Sequence, residues 1–148
     1  TALAQKKGYQ QIVWTDASTH EYLEEAGTMN IFFRINDKLI TAPNNDRILD
    51  GITRKSIIQI AKDNDIDIEV RPIKVSEVVE ASKKGTLLEM FGSGTAVVVS
   101  PIKSFGYQGV NYKLPVIENP LSTLLKEKIT SIQYNLSEDP HGWRLAVD

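Results

Sequence analysis

Met29 to Ile35 reads Met-Asn-Ile-Phe-Phe-Arg-Ile, and after Asn36-Asp37 the chain resumes as Lys38-Leu-Ile-Thr41. Two strand-forming runs joined by a short Asn-Asp turn make a hairpin. That hairpin fixes one antiparallel strand pair, and the rest of the chain has to be built around it. Beyond the hairpin the chain turns helical. Ile57, Ile60 and Ala61 form the inner stripe of a helix, with Thr53 as its N-cap and Gly51 permitting a tight entry. Asp67 to Arg71 alternates as a half-buried strand that Pro72 ends. Ser76 caps a second helix running to Lys84, and Gly85 stops it. Leu87 to Phe91 reads as a strand and Gly92-Ser-Gly94 as a turn. Ala96 to Ser100 reads as an apolar strand buried on both faces. Pro101 to Lys113 is extended around a turn at Gln108-Gly109. Pro120 opens a last helix whose stripe is Leu121, Leu124, Leu125, Lys128, Ile129 and Ile132. Ahead of the hairpin, residues 1 to 7 fit the end of a helix closed by Gly8, and Gln11 to Trp14 a short strand. Strands alternate irregularly with helices, so the chain is expected to be one α/β (α+β) domain with a mixed sheet.

Composition narrows the function classes. A single domain of 148 residues buries about two thirds of its unfolded surface. The net charge of −2 offers no basic field for nucleic acid. No apolar run approaches membrane-spanning length, and no signal-peptide pattern opens the chain. Cysteine is absent, which removes disulfides, thiolate nucleophiles and cysteine metal sites. His20 and His141 lack the paired spacing of a zinc site and read as solvated loop residues. Asn44 to Gly51 resembles a calcium loop only superficially, because Ile48 falls where an oxygen ligand is needed. The chain opens at Thr1, without Met and inside a helix-like segment, and so reads as a piece of something longer.

Three turns can carry chemistry. In Leu23 to Phe33 two carboxylates, Glu24 and Glu25, precede a glycine and an apolar strand. Adjacent strand residues point to opposite faces, so one carboxylate can face water while the other faces inward. An inward carboxylate needs a partner: a basic side chain, backbone N–H groups or a protonated ring nitrogen. Asp50-Gly-Ile-Thr53 opens a helix, where free N–H groups and the dipole suit an anion or a plain N-cap. Asp50 argues mildly against an anion there. Gly92-Ser-Gly-Thr95 exposes backbone N–H groups but is neither a P-loop nor a dinucleotide fingerprint, since Val97 takes the third glycine's place. No Ser–His–Asp set can be assembled.

Together these segments resemble the C-terminal part of the branched-chain-amino-acid aminotransferases, fold-type IV pyridoxal-phosphate enzymes. The resemblance rests on Gly8-Tyr-Gln-Gln-Ile-Val-Trp14, Glu25-Ala-Gly-Thr-Met-Asn-Ile-Phe32, Leu49-Asp-Gly-Ile-Thr-Arg54, Glu89-Met-Phe-Gly-Ser-Gly-Thr-Ala96, Ile129-Thr-Ser-Ile-Gln-Tyr134 and His141-Gly-Trp143. It is collinear and covers nearly the whole chain. It implies a mixed-sheet pseudo-barrel with flanking helices, residues 1–148 being the large, cofactor-binding domain. It implies amino-group exchange between leucine, isoleucine or valine and 2-oxoglutarate, giving glutamate. It also implies pyridoxal 5'-phosphate as cofactor, a cytoplasmic homodimer, and no metal, nucleic acid or membrane.

Residue by residue, Glu25 matches the acid that pairs with the cofactor's pyridine nitrogen and keeps it protonated, so that the ring serves as an electron sink. Ile52, Thr53 and Thr95 match the phosphate-binding turns. Thr28, with the N–H groups of Thr95 and Ala96, matches the substrate-carboxylate site. Departures are Asp50, where proline is usual, and Val97 and Ser100, where some animal members carry cysteines. Nothing matches the Schiff-base lysine, which with the small N-terminal domain would precede Thr1; Lys6 and Lys7 sit too late. The catalytic lysine is therefore expected outside this chain, and the 148-residue piece is expected to be inactive. The alternatives are a non-catalytic binding or regulatory domain that kept the fold, or another fold-type IV enzyme such as a D-amino-acid aminotransferase.

Overall fold

The computed structural model describes residues 2–27, 29–45 and 48–146. Its centre is the hairpin, β3 (Asn30–Ile35) and β4 (Lys38–Thr41), paired antiparallel from Phe32↔Thr41 to Ile35↔Lys38. On one side β5 (Ile68–Val70) adds parallel to β4. On the other, β6 (Leu87–Ser93) runs antiparallel to β3 and is followed by the short β7 (Ser100–Pro101). The sheet order is β5-β4-β3-β6-β7, a mixed sheet as expected. The parallel step exists because the helix α2 (Ile52–Asp63) carries the chain back between β4 and β5. Two ribbons complete the β structure: β1 (Val13–Thr15) with β2 (Leu23–Ala26), and β8 (Ser104–Tyr107) with β9 (Val110–Lys113).

Period-2 alternation sends β3 side chains to two cores. Phe32 stacks on Phe91 at 5.1 Å and packs with Leu39 beneath α2 and α4 (Leu121–Gln133), through Ile57, Ile60, Ala61, Leu125, Ile129 and Ile132. Ile31 and Phe33 face the other way, with Ile40, Leu87 and Met90, against Val78 and Ala81 of α3 (Val75–Lys84). The two ribbons flank this second core, to which Val13, Leu23 and Phe105 pack. The α2 stripe falls where the sequence spacing puts it; on α4 Leu125, Ile129 and Ile132 are buried as expected, but Leu124 and Lys128 face solvent and Ser122 takes a buried place instead. The opening helix α1 (Ala2–Lys6) also ends as expected, Gly8 and Tyr9 donating N–H groups back to Gln5 and Ala4.

Several local expectations fail for physical reasons. The segment 94–99 is a bend, not a strand. The Gly94 N–H donates to the Val97 carbonyl (3.2 Å) and closes a turn, so Ala96 and Val97 are exposed and only Val99 is buried. Gly92 and Ser93, expected as a turn, are the last rungs of β6, opposite Ile31 and Asn30. Gly51, in extended conformation, takes the N-cap place of α2 instead of Thr53. Lys74 does the same for α3, because Val75 is drawn into the core and donates its N–H to the Glu21 carbonyl at 2.8 Å, leaving Ser76 inside the helix. His141 lies exposed in a loop as expected, but it is also engaged: its Nε2 lies 2.6 Å from Asp63 at the end of α2, and its ring stacks on Trp143. Among the described residues no helix is long and apolar enough to cross a membrane.

Candidate functional site

The site lies where β2 ends, β3 begins, α2 begins and β6 ends. Antiparallel pairing of β3 with β6 is what brings these chain positions together: Asn30 sits opposite Ser93. Ala26 and Met29 exchange both backbone hydrogen bonds at 2.9 Å, closing a tight turn whose Gly27 has φ +59°. Glycine is favoured there because the conformation is left-handed, and an added Cβ would also have to displace the end of the Gln11 side chain. Thr28 lies outside the described residues.

Glu25 is half-buried at the end of β2, and its Oε2 accepts the Leu49 N–H at 3.3 Å. Glu24 is half-buried too, so the strand does not split the pair into one wet and one dry carboxylate. Leu49 is gripped from its other side as well: the Asn30 Nδ2 donates to the Leu49 carbonyl at 2.8 Å. Asn30 is 5% exposed, and its amide oxygen lies against Gly51, where a Cβ would collide with it.

From Gly51 the chain enters α2. Among the described residues no side chain caps this helix, and no acidic residue stands in its first turn. Orphan N–H groups and a helix dipole without a capping carboxylate attract an anion. Arg54, in the same first turn, is 4% exposed. Its Nη2 donates to the Ala42 carbonyl at 2.8 Å, while its Nε is buried without a hydrogen-bond partner among the described residues. Burial pushes the Arg54 guanidinium below its ordinary value, and the Asp50 charge opposes that. Asp50 itself is engaged by Lys55 at 2.5 Å, which offsets its repulsion of an anion at the helix end.

The third turn closes on the second through Thr53, whose Oγ1 donates to the Gly94 carbonyl at 3.4 Å. Thr95 and Ala96 come next in the exposed bend. Ile52 is 82% exposed, so only its backbone N–H can serve a ligand at this helix end. The structure thus connects Glu25 to Leu49 and Thr53 to Gly94, with Thr95 and Ala96 adjoining. The residues that sequence reasoning passed over are Asn30, Leu49 through its backbone, and Arg54. The available signal was a polar residue, Asn30, heading an otherwise apolar strand.

Chemically, the arrangement offers an acceptor carboxylate on one side of residues 49–51 and, after them, an N–H-rich helix end with the buried Arg54 in its first turn. A carboxylate acceptor suits a protonated nitrogen, and an uncapped helix end suits an anion.

Comparison with known proteins bears on what such a ligand is. A family model described as Amino-transferase class IV matches residues 1–105. The chain is 43% identical to a probable branched-chain-amino-acid aminotransferase of Staphylococcus aureus (strain N315), over 97% of this chain and 40% of that protein. The chain therefore spans less than half the length of the curated relatives it matches. Its fold is similar to that of the branched-chain amino acid aminotransferase from Escherichia coli, with a TM-score of 0.77 at 25% identity, over 96% of this chain and 44% of that one. An aminotransferase from Brucella abortus, solved bound to the co-factor PLP, shares the fold with a TM-score of 0.71 at 22% identity, over 88% of this chain and 41% of that one.

Proposed function

The chain belongs to the class IV aminotransferases, and from that premise we propose that residues 1–148 are the C-terminal, cofactor-binding domain of a branched-chain-amino-acid aminotransferase. The full protein exchanges the amino group of leucine, isoleucine or valine with 2-oxoglutarate, as a cytoplasmic homodimer. Its cofactor is pyridoxal 5'-phosphate. The observation that carries the reading is the pairing of one half-buried carboxylate, Glu25, with an uncapped helix end backed by Arg54. Those residues fit the two ends of that cofactor, and the relatives' names support the substrate class.

Glu25 would accept a hydrogen bond from the ring nitrogen and so favour the nitrogen's protonated form. The N–H groups of Ile52 and Thr53, with Thr95, would hold the phosphate, while the Thr53 hydroxyl ties the two turns together through the Gly94 carbonyl. Thr28 and the N–H groups of Thr95 and Ala96 hold the substrate carboxylate. When bound, the cofactor supplies an electron sink for the bonds to the substrate's α-carbon. The chain's own task is to keep a proton at the ring nitrogen and to fix both ends of the ring relative to the substrate. The base that moves the α-proton is a lysine elsewhere in the protein; Lys55, on the site's own helix, is tied to Asp50.

The test is an assay of the full-length protein with 2-oxoglutarate and either L-leucine or D-alanine. Turnover of L-leucine with Glu25→Gln at least a hundredfold slower is expected, the scale of removing one electrostatic or proton-holding group. Turnover of D-alanine alone, or none with either, refutes the proposal. The isolated 148-residue chain is expected to be inactive; a cofactor absorbance band that borohydride fixes covalently to it would refute that part.

A further inference from the structure

Beyond the residues that touch the cofactor in that reading, and resting on it, the geometry points to Asn30 as the positioning residue that sets both ends of the site at once. We propose that the Asn30 side-chain amide locks residues 49–51, so that one buried group fixes the Glu25 carboxylate and the start of α2 in a single relation.

Asn30 is the first residue of β3, paired across the sheet to Ser93, and it is 5% exposed. Its donor half grips the Leu49 carbonyl at 2.8 Å. The same residue, Leu49, gives its N–H to Glu25 Oε2 at 3.3 Å. The Leu49 side chain is 67% exposed, and its backbone carries the ties: its N–H goes to Glu25, and its carbonyl is shared by the Asn30 amide and, at 2.9 Å, the Gly51 N–H. The acceptor half of Asn30 abuts Gly51, the N-cap residue of α2. Asn30 therefore acts on the ring end through Leu49 and on the phosphate end through Gly51. A buried amide has few alternative orientations, because any rotation would leave its polar atoms unpaired. That rigidity lets a group outside the ligand's contact shell hold two ligand-binding elements that are 24 or more residues apart in sequence.

The experiment is a double-mutant cycle in the full-length protein, with Asn30→Ala and Glu25→Gln alone and together. Pyridoxal 5'-phosphate uptake by the apo form is read by absorbance, and the protonation of the ring nitrogen by NMR of isotope-labelled cofactor. Asn30→Ala alone is expected to weaken uptake roughly tenfold or more and to move the ring-nitrogen signal toward the neutral form. In the Glu25→Gln background the same change should leave the nitrogen signal where Glu25→Gln already puts it. An unmoved nitrogen signal in Asn30→Ala, or fully additive effects, overturns the proposal, because a merely structural loss would lower the melting temperature without acting through Glu25.

The tie is also read without cofactor, from amide exchange in the full-length apo protein. Asn30→Ala should speed exchange at Leu49 roughly threefold to tenfold, as expected for one net hydrogen bond. Unchanged exchange at Leu49 overturns the tie itself. If exchange speeds up but the wild-type protein takes up no pyridoxal phosphate, it is the proposed function that falls, together with the role of Asn30 toward that cofactor.

Discussion

Replacing Glu89 with alanine should unlatch α4 from the sheet. Helix α4 begins at Leu121 after Pro120 and has no side-chain cap of its own. Glu89, from β6, supplies one from across the fold. Its Oε2 accepts the Leu121 N–H at 2.9 Å, and its Oε1 accepts the Ser122 N–H at 3.1 Å and the Ser122 hydroxyl at 2.8 Å. The Arg34 Nη1, on β3, pairs with Oε2 at 3.0 Å. Glu89 is only 6% exposed, so alanine would leave these donors in a dry place. Three helix-end donors are worth about 1 kcal/mol each, net. The Arg34 side chain is 18% exposed, so its pair is partly screened, and it adds about 1 kcal/mol or less. The sum, about 3–4 kcal/mol, agrees with the ~3–5 kcal/mol that breaking a buried pair costs. For a domain of this size that is a fall of roughly 10 °C in melting temperature.

Urea unfolding followed by circular dichroism measures it, and amide exchange should show α4 opening before the β3–β6 ladder. Glu89→Gln keeps the shape but turns an amide donor toward N–H groups, and should recover less than half of the loss. A fall of less than about 2 °C for Glu89→Ala would show that α4 is held by its apolar stripe alone, and the latch reasoning would be wrong.

Two other substitutions probe the start of α2 and the turn between β1 and β2. Gly51→Ala drives a Cβ into the buried Asn30 amide; it should destabilise the chain by about 1–3 kcal/mol in urea unfolding and weaken cofactor uptake, although the backbone at Gly51 is unstrained. Asp16 accepts the N–H groups of Thr19, Glu21 and Tyr22, and chiefly those backbone bonds, Tyr22 first, hold its carboxyl well below the usual carboxylate range. Because the folded value is depressed, its contribution is full above the unfolded value near pH 4 and is lost as pH falls through the folded value. Asp16→Asn should therefore lower stability at neutral pH, and the gap to wild type should narrow on acidification; a gap independent of pH would refute that assignment.

The hairpin was legible because its register follows from a short turn and two runs of strand formers. The α2 stripe and the Leu125–Ile129–Ile132 line of α4 were legible because period 3.6 survives whatever packs on them, while Leu124 and Lys128, counted into the stripe, lie outside it. The bend at 94–99 was not. Ala-Val-Val-Val has the composition of a buried strand, and one backbone bond from Gly94 to Val97 overrides it. Thr53 and Ser76 were misplaced as caps because capping depends on where the backbone turns, and at both helices the residue before the first turn was set by tertiary contacts. The turns of the site could be found one by one, but not their union. Asn30 reaches Leu49 across 19 positions, and Thr53 reaches Gly94 across 41. Such contacts depend on which strands pair, and no local pattern encodes that. The Arg34–Glu89–Ser122 cluster was missed for the same reason.

Leu49 is held entirely by its main chain, with its side chain turned to solvent. Every L-amino acid but proline presents that same N–H and C=O, so position 49 is open to drift. The constraint sits on its neighbours instead: an amide at 30, nothing larger than hydrogen at 51. Sequence variation across descendants of this chain should be written around the junction rather than at it, and a library randomised at 49 could tune the rim of the site without touching its geometry.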